Sequence, residues 1–332
     1  MRHVDEHSPH TYPVDEPADV KIGHHKDHAA GVPAVAVALK RGIEQMGTPR
    51  TARTFFHLNQ RNGFDCPGCA WPEEPGGRKL AEFCENGAKA VAEEATKRTV
   101  TPEFFARHSV GELADKPEYW LSQQGRLTHP MVLEPSATHY RPITWDRAYD
   151  LIAEHLQALA SPDEACFYTS GRTSNEAAFL YQLFVRSYGT NNLPDCSNMC
   201  HEASGRAMQA SLGTGKGTVD LEDWETADAL FVIGVNAASN APRMLTALSE
   251  AYRRGAQIVH INPLVEAGAT KTIIPHDFLR MATFKSTKTS TLNLQPRIGG
   301  DMALIRGIAK VVLEQARSEE RRVGKECLRL CR

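Results

Sequence analysis

The sequence predicts an α/β fold: a parallel sheet with flanking helices, preceded by a small cysteine-containing N-terminal domain. Three observations predict it. From about residue 141 onward, short apolar runs alternate with segments whose apolar residues recur at helical spacing. Glycine, asparagine and serine gather where those runs end, in "TSGRTSN", "IGVNAASN" and "INP". Open parallel sheets bind ligands at that edge. Ahead of all this lies a loop with three cysteines, "CPGCAWPEEPGGRKLAEFCENGAKA".

Taken in order, residues 1–30 are polar and hold six histidines. They read as a disordered tail, of a composition that can also bind metal. Residues 31–140 form an N-terminal region. It opens on a helix in "GVPAVAVALKRGIEQMG" and carries the loop with Cys66, Cys69 and Cys84. Residues 141–316 form the α/β unit. "TWDRAYDLIAEHLQALA" is a helix with Thr144 as its N-cap candidate. "EACFYTSG" reads as a strand, and "NEAAFLYQLFVRSYG" as a helix stopped by Gly189. "HEASGRAMQASLG" is a second helix with a glycine stop, and "GTGKGT" an ordinary loop after it. "ADALFVIGV" reads as a strand buried on both faces. "RMLTALSEAYRRG" is a helix, "AQIVHINP" a strand and "DMALIRGIAKVVLEQA" the last helix. Residues 264–298 are expected to face a ligand or another part of a larger fold, and to be mobile if left exposed. Residues 317–332 pack basic residues and two cysteines, Cys327 and Cys331, into a segment that continues no pattern. They read as a non-native tail after an interrupted reading frame.

The chain has 332 residues and a formal net charge of -2. That length suffices for two domains with ordinary cores. Near-neutral charge gives no reason to expect a nucleic-acid partner. No apolar run reaches the roughly 18 residues of a spanning helix, and no apolar leader opens the chain, so no membrane insertion and a cytoplasmic location are expected. In that compartment close cysteine pairs point to metal or redox chemistry before structural disulfides.

Three constellations could carry chemistry. Cys66 and Cys69 stand at C-x2-C spacing, with Cys84 fifteen residues on and Glu73 four after Cys69. This suits zinc or an iron–sulfur cluster, or is a loop with free thiols. Asp195, Cys196, Cys200 and His201 lie in a loop between two predicted helices. The adjoining Cys200 and His201 could be a metal ligand with its proton partner, a nucleophile with its base, or two packed side chains. The strand ends, with Arg172 and Arg243, offer N–H groups, amides and guanidinium groups suited to phosphate and polar rings. They match neither the dinucleotide fingerprint nor the P-loop.

Several long segments then carry a resemblance. "NGFDCPGCAWPEE", "FCENGAKAVAEEAT", "TSGRTSNEAAFLYQLFVRSYGTNNLPDCSNMCHEASG", "GKGTVDLEDWETADALFVIGVNAASNAPRML" and "RIGGDMALIRGIAK" occur in that order. From about Gly31 to Ala316 the chain resembles the N-terminal part of a molybdopterin oxidoreductase alpha subunit, of the formate-dehydrogenase-like branch. The resemblance implies the fold of that superfamily's N-terminal domains. It implies a molybdenum-bis(molybdopterin guanine dinucleotide) cofactor and two-electron oxidation of a small substrate such as formate. It implies Cys200 as molybdenum ligand and His201 as proton acceptor. It implies dinucleotide contacts from Gly171, Arg172, Asn175, Gly234, Asn236, Asn240, Asn262, Gly299, Gly300 and Asp301. It also implies a [4Fe–4S] cluster on Cys66, Cys69 and Cys84, with Lys89 between cluster and pterin. The chain departs from the pattern in four ways: one cluster cysteine is missing, Lys89 follows Cys84 at a wider spacing than usual, Ala241 stands where a histidine is usual, and full subunits are roughly twice as long or more. It therefore reads as an N-terminal fragment. The competing readings are a cofactor-free scaffold or interaction protein and a small zinc-binding protein.

Overall fold

A computed structural model describes residues 26–69, 71–72, 77–78 and 81–318. Glu73, Cys327, Cys331 and the first 25 residues of the expected tail lie outside the described residues. The elements that position the site are, in chain order, β1 (Ala29–Ala30), α1 (Val32–Met46), α2 (Thr48–His57), α3 (Glu85–Glu94), α4 (Trp145–Gln157), α5 (Asn175–Tyr188), α6 (Cys196–Cys200), α7 (Glu202–Leu212), β2 (Ala229–Ile233), α8 (Ala237–Asn240), α9 (Met244–Arg254), β3 (Gln257–Ile261), β4 (Lys271–Ile273), β5 (Thr287–Lys288), β6 (Leu292–Leu294) and α10 (Asp301–Ser318).

The fold is mixed α/β, with small sheets among helices. The largest parallel arrangement has three strands in the order β6-β3-β2, and β2 and β3 pair from Ala229↔Gln257 to Ile233↔Ile261. One face of it packs on α9. Val232, Leu245, Leu248, Ala251 and Ile258 form that core, and Leu248 and Ile258 are wholly buried. A second core lies among α1, α2 and α3, around Met46, Phe55, Leu58, Ala88 and Val91, with Cys66 and Phe83 against it.

The helices follow their local signals. Thr144 caps α4, its hydroxyl oxygen accepting from the Arg147 N–H at 3.2 Å. Gly189 and Gly255 end α5 and α9 in the left-handed conformation.

Two expectations are corrected. "EACFYTSG" joins no sheet: Thr169 makes one isolated bridge, to Asp195. Local partners satisfy this segment instead, since Phe167 N–H donates to Asn192 O at 2.9 Å and the Asn192 amide donates to the Ala165 carbonyl at 3.2 Å. β2 is covered on one face only. Val232 is buried, while Phe231 and Ile233, pointing the other way, are 59% and 49% exposed. Residues 264–298 are buried in part: β4 pairs with β1 and β5, and Thr272, Ile273 and Thr289 are buried, while Phe278, Phe284 and Ile298 are exposed.

Candidate functional site

The first three cysteines meet in one cleft of about 760 Å³. Cys66, Cys69, Cys84 and Lys89 line it from the N-terminal side, and Arg172, Asn240 and Arg243 from the α/β side. Residues more than 150 positions apart thus share one wall.

Each cysteine is placed by a local device. Cys84 is the N-cap of α3, and its sulfur accepts from the Gly87 N–H at 3.4 Å. Cys66 packs against the core under α1 to α3. A Cβ placed on Gly87 would stand 2.8 Å from Cys66 Sγ and 3.8 Å from Cys84 Sγ. A side chain there would crowd the Cys66 sulfur and only touch that of Cys84. Burial pushes the Cys66 and Cys84 thiols above their ordinary range. Hydrogen bonds from the Gly68 and Gly87 backbone oppose this, and the neighbouring thiols reinforce it. Both thiols are therefore held protonated, and a metal group binding here must displace protons.

The charges in the cleft are mostly paired. Arg78 bridges to Asp65 at 2.8 Å, Lys89 pairs with Glu85, and Arg243 pairs with Glu82. Arg172 forms no ion pair among the described residues, which leaves its guanidinium for an anionic ligand. Lys89 stands one helical turn after Glu85, so the pair lies along α3 at the cleft edge.

A single zinc ion needs donors at about 2.0–2.3 Å, which draws its ligands tightly together. Among the described residues no three His, Cys, Asp or Glu side chains gather in that way.

The second constellation stands apart. Cys200 ends the short helix α6, and His201 is the junction to α7; both are exposed and line none of this cleft. Asp195 and Asn198 form a capping box at the start of α6. Cys196 has a role that spacing did not reveal: its sulfur accepts from the Gly171 N–H at 3.1 Å. That bond ties α6 to the loop that carries Arg172.

Two of the remaining predicted contacts lie at the carboxyl ends of the parallel pair, and the others begin helices or the turns before them. Gly234 follows β2 and Asn262 follows β3, side by side, and Gly234 N–H donates to Ile261 O at 2.9 Å. Asn236 caps α8. Asn175 begins α5, and Gly299, Gly300 and Asp301 form the turn into α10. Of the strand-end set, Arg172 and Asn240 reach the cysteine cleft.

Three cleft residues had no signal in the sequence. Asn59, Glu82 and Asn86 sit among many similar polar residues and are defined by their partners. Asn86 donates to Ser239 O, and His276 Nε2 lies 2.6 Å from Ala81 O. Both contacts dock the cysteine loop on the α/β unit.

Comparison with known proteins gives the family of the chain. The model of the molybdopterin oxidoreductase family matches residues 126–321. That is more than half of the chain, which belongs to this family. It is 62% identical over 310 residues to an uncharacterized oxidoreductase of Mycobacterium tuberculosis, covering 93% of this chain and 39% of that protein. It is 44% identical over 295 residues to Protein YdeP of Escherichia coli, covering 89% and 39%. It is 30% identical over 215 residues to a formate dehydrogenase subunit alpha of Methanocaldococcus jannaschii, covering 63% and 29%. The chain thus spans about two fifths of the first two relatives. Among the described residues no helix is long and apolar enough to cross a membrane.

Proposed function

We propose that the chain is the molybdenum-carrying part of a formate-dehydrogenase-like enzyme that oxidises a small molecule by two electrons. The observation that carries this reading is the cleft that joins Cys66, Cys69, Cys84 and Lys89 to Arg172 and Asn240. A cysteine set and a set suited to phosphate and polar rings are what a metal and a pterin dinucleotide need side by side. Family membership and the likeness to a formate dehydrogenase subunit support it.

The bis(molybdopterin guanine dinucleotide) centre, when bound, would supply a soft metal able to accept two electrons. Cys200 is the thiolate suited to ligate it. His201, exposed beside Cys200, takes the substrate's proton on an imidazole nitrogen. For formate, the C–H bond breaks to give carbon dioxide, one proton and two electrons. Arg172 and Asn240 hold the cofactor's phosphate and polar ring groups at the cleft. Gly171 and Asn175 hold them at the loop into α5, and Gly234, Asn236, Asn262, Gly299, Gly300 and Asp301 hold them at the strand ends and the turn into α10. Cys66, Cys69 and Cys84 hold a [4Fe–4S] cluster, with Lys89 at its edge.

Metal content tests the reading. A full-length version from a molybdenum-replete host is expected to carry about one molybdenum and about four iron per chain. Its Cys200→Ala variant is expected to lose turnover by orders of magnitude, against about 1 kcal/mol of stability for a cysteine that merely packs. Wild-type turnover in that variant would remove the ligand assignment. Zinc alone, or no metal at all, would replace the reading with a zinc protein or a cofactor-free scaffold.

A further inference from the structure

One side chain holds both ends of the cysteine loop. Asn59 follows α2 and is 9% exposed. Its Oδ1 accepts from the Cys66 backbone N–H at 2.7 Å, and its Nδ2 donates to the Glu82 carbonyl at 2.7 Å. Cys66 opens the loop, and Glu82 stands two residues before Cys84. Asn59 N–H donates to Phe64 O at 2.8 Å, which closes the turn beneath.

The chemistry of this place selects an amide. It needs one acceptor and one donor at a fixed separation, both buried. It also needs a residue that accepts a positive φ, here 54°. Asparagine is enriched in that region among residues with a side chain. Aspartate would keep the acceptor and lose the donor. Glycine would keep the backbone and lose both bonds. With the loop ends so held, the Cys66 and Cys84 sulfurs both lie over Gly87.

We propose that Asn59 is the positioning residue that sets Cys66 beside Cys84, so that the thiol wall is formed before any metal group arrives. The proposal rests on the reading that these thiols share one ligand, yet the positioning itself is measurable without that ligand.

The test uses the full 332-residue chain with every cysteine except Cys66 and Cys84 changed to serine. Dibromobimane fluoresces when it bridges two nearby thiols. The parent is expected to bridge readily, and Asn59→Gly to bridge about tenfold more slowly, because the two thiols lose their effective concentration. Asn59→Asp, which keeps the bond to Cys66, is expected to fall between. A cooperative melt establishes that Asn59→Gly is folded. If it is not, Asn59→Asp decides. Bridging at the parent rate in the deciding variant, or none in the parent, overturns the proposal.

Reconstitution of the chain with its native cysteines, using iron and sulfide without air, runs alongside. No iron uptake with slowed bridging in the variant would sink the cluster and leave the positioning intact. Iron uptake with unchanged bridging would do the reverse.

Discussion

His260 shows how one buried side chain sets a pH dependence. It sits mid-strand in β3, opposite Val232 and Asn293, and is 2% exposed. Its Nε2 lies 3.1 Å from the Thr289 carbonyl, so that nitrogen carries the proton, and Nδ1 is buried without a partner. Burial lowers its pKa below the ordinary 6.5, and the bond to Thr289 partly offsets this. The folded state then keeps the ring neutral where the unfolded chain would protonate it. Stability from this group is complete above about pH 6.5 and falls as pH drops through that value, by up to about 1.4 kcal/mol per pH unit. Denaturant titrations between pH 7.5 and 5.5 are expected to show the loss, and His260→Gln to flatten it. Equal slopes for both proteins would clear His260. No residue count in "AQIVHINP" announces this histidine's burial, which comes from β2, β6 and the turn at Thr289.

Among the elements, α5 was legible from end to end because its signals are local. Ser174 caps its start, with its hydroxyl oxygen accepting from the Ala177 N–H at 3.3 Å. Gly189 ends it at φ 114°, with the Gly189 N–H bonded to Val185 O. Gly189→Ala would force a Cβ into that conformation and set it 3.3 Å from Pro162. A destabilisation of about 1–2 kcal/mol is expected in a denaturant melt. No change would mean that the helix end rearranges freely. The segment 164–171 failed where α5 succeeded. Its apolar run is real, but strand pairing needs a neighbour's free edge, and Asn192 takes its hydrogen bonds first. β2 has the same lesson on one side only: α9 covers Val232 and leaves Phe231 open.

Across the whole molecule, the link between cysteine loop and α/β unit rests on Glu82 and Arg243. Their side chains are 8% and 16% exposed, and Arg243 also reaches the Trp71 carbonyl at 3.5 Å. Trp71 itself meets Trp224 edge-on at 5.8 Å. Removing one partner of a mostly buried pair loses the contact and leaves the other to its remaining partners. Glu82→Gln is expected to destabilise the fold, by less than the roughly 3–5 kcal/mol of a fully uncompensated buried charge, read from the denaturant midpoint. The double change with Arg243→Met should recover part of it, and additive costs would deny the coupling. Local signals carry the main helices with their glycine stops, the glycine- and asparagine-rich strand ends, the C-x2-C pair and the family likeness. These depend on residues close in the chain or on the order of motifs along it. Tertiary structure alone decided that Cys66, Cys69 and Cys84 share a cleft with Arg172, Asn240 and Arg243, and that Cys200 and His201 stand outside it. It also chose Asn59 and Glu82 from many equivalent polar residues. Such choices are made by hydrogen bonds and ion pairs between distant segments, and a buried polar group must find its partner wherever the fold brings one.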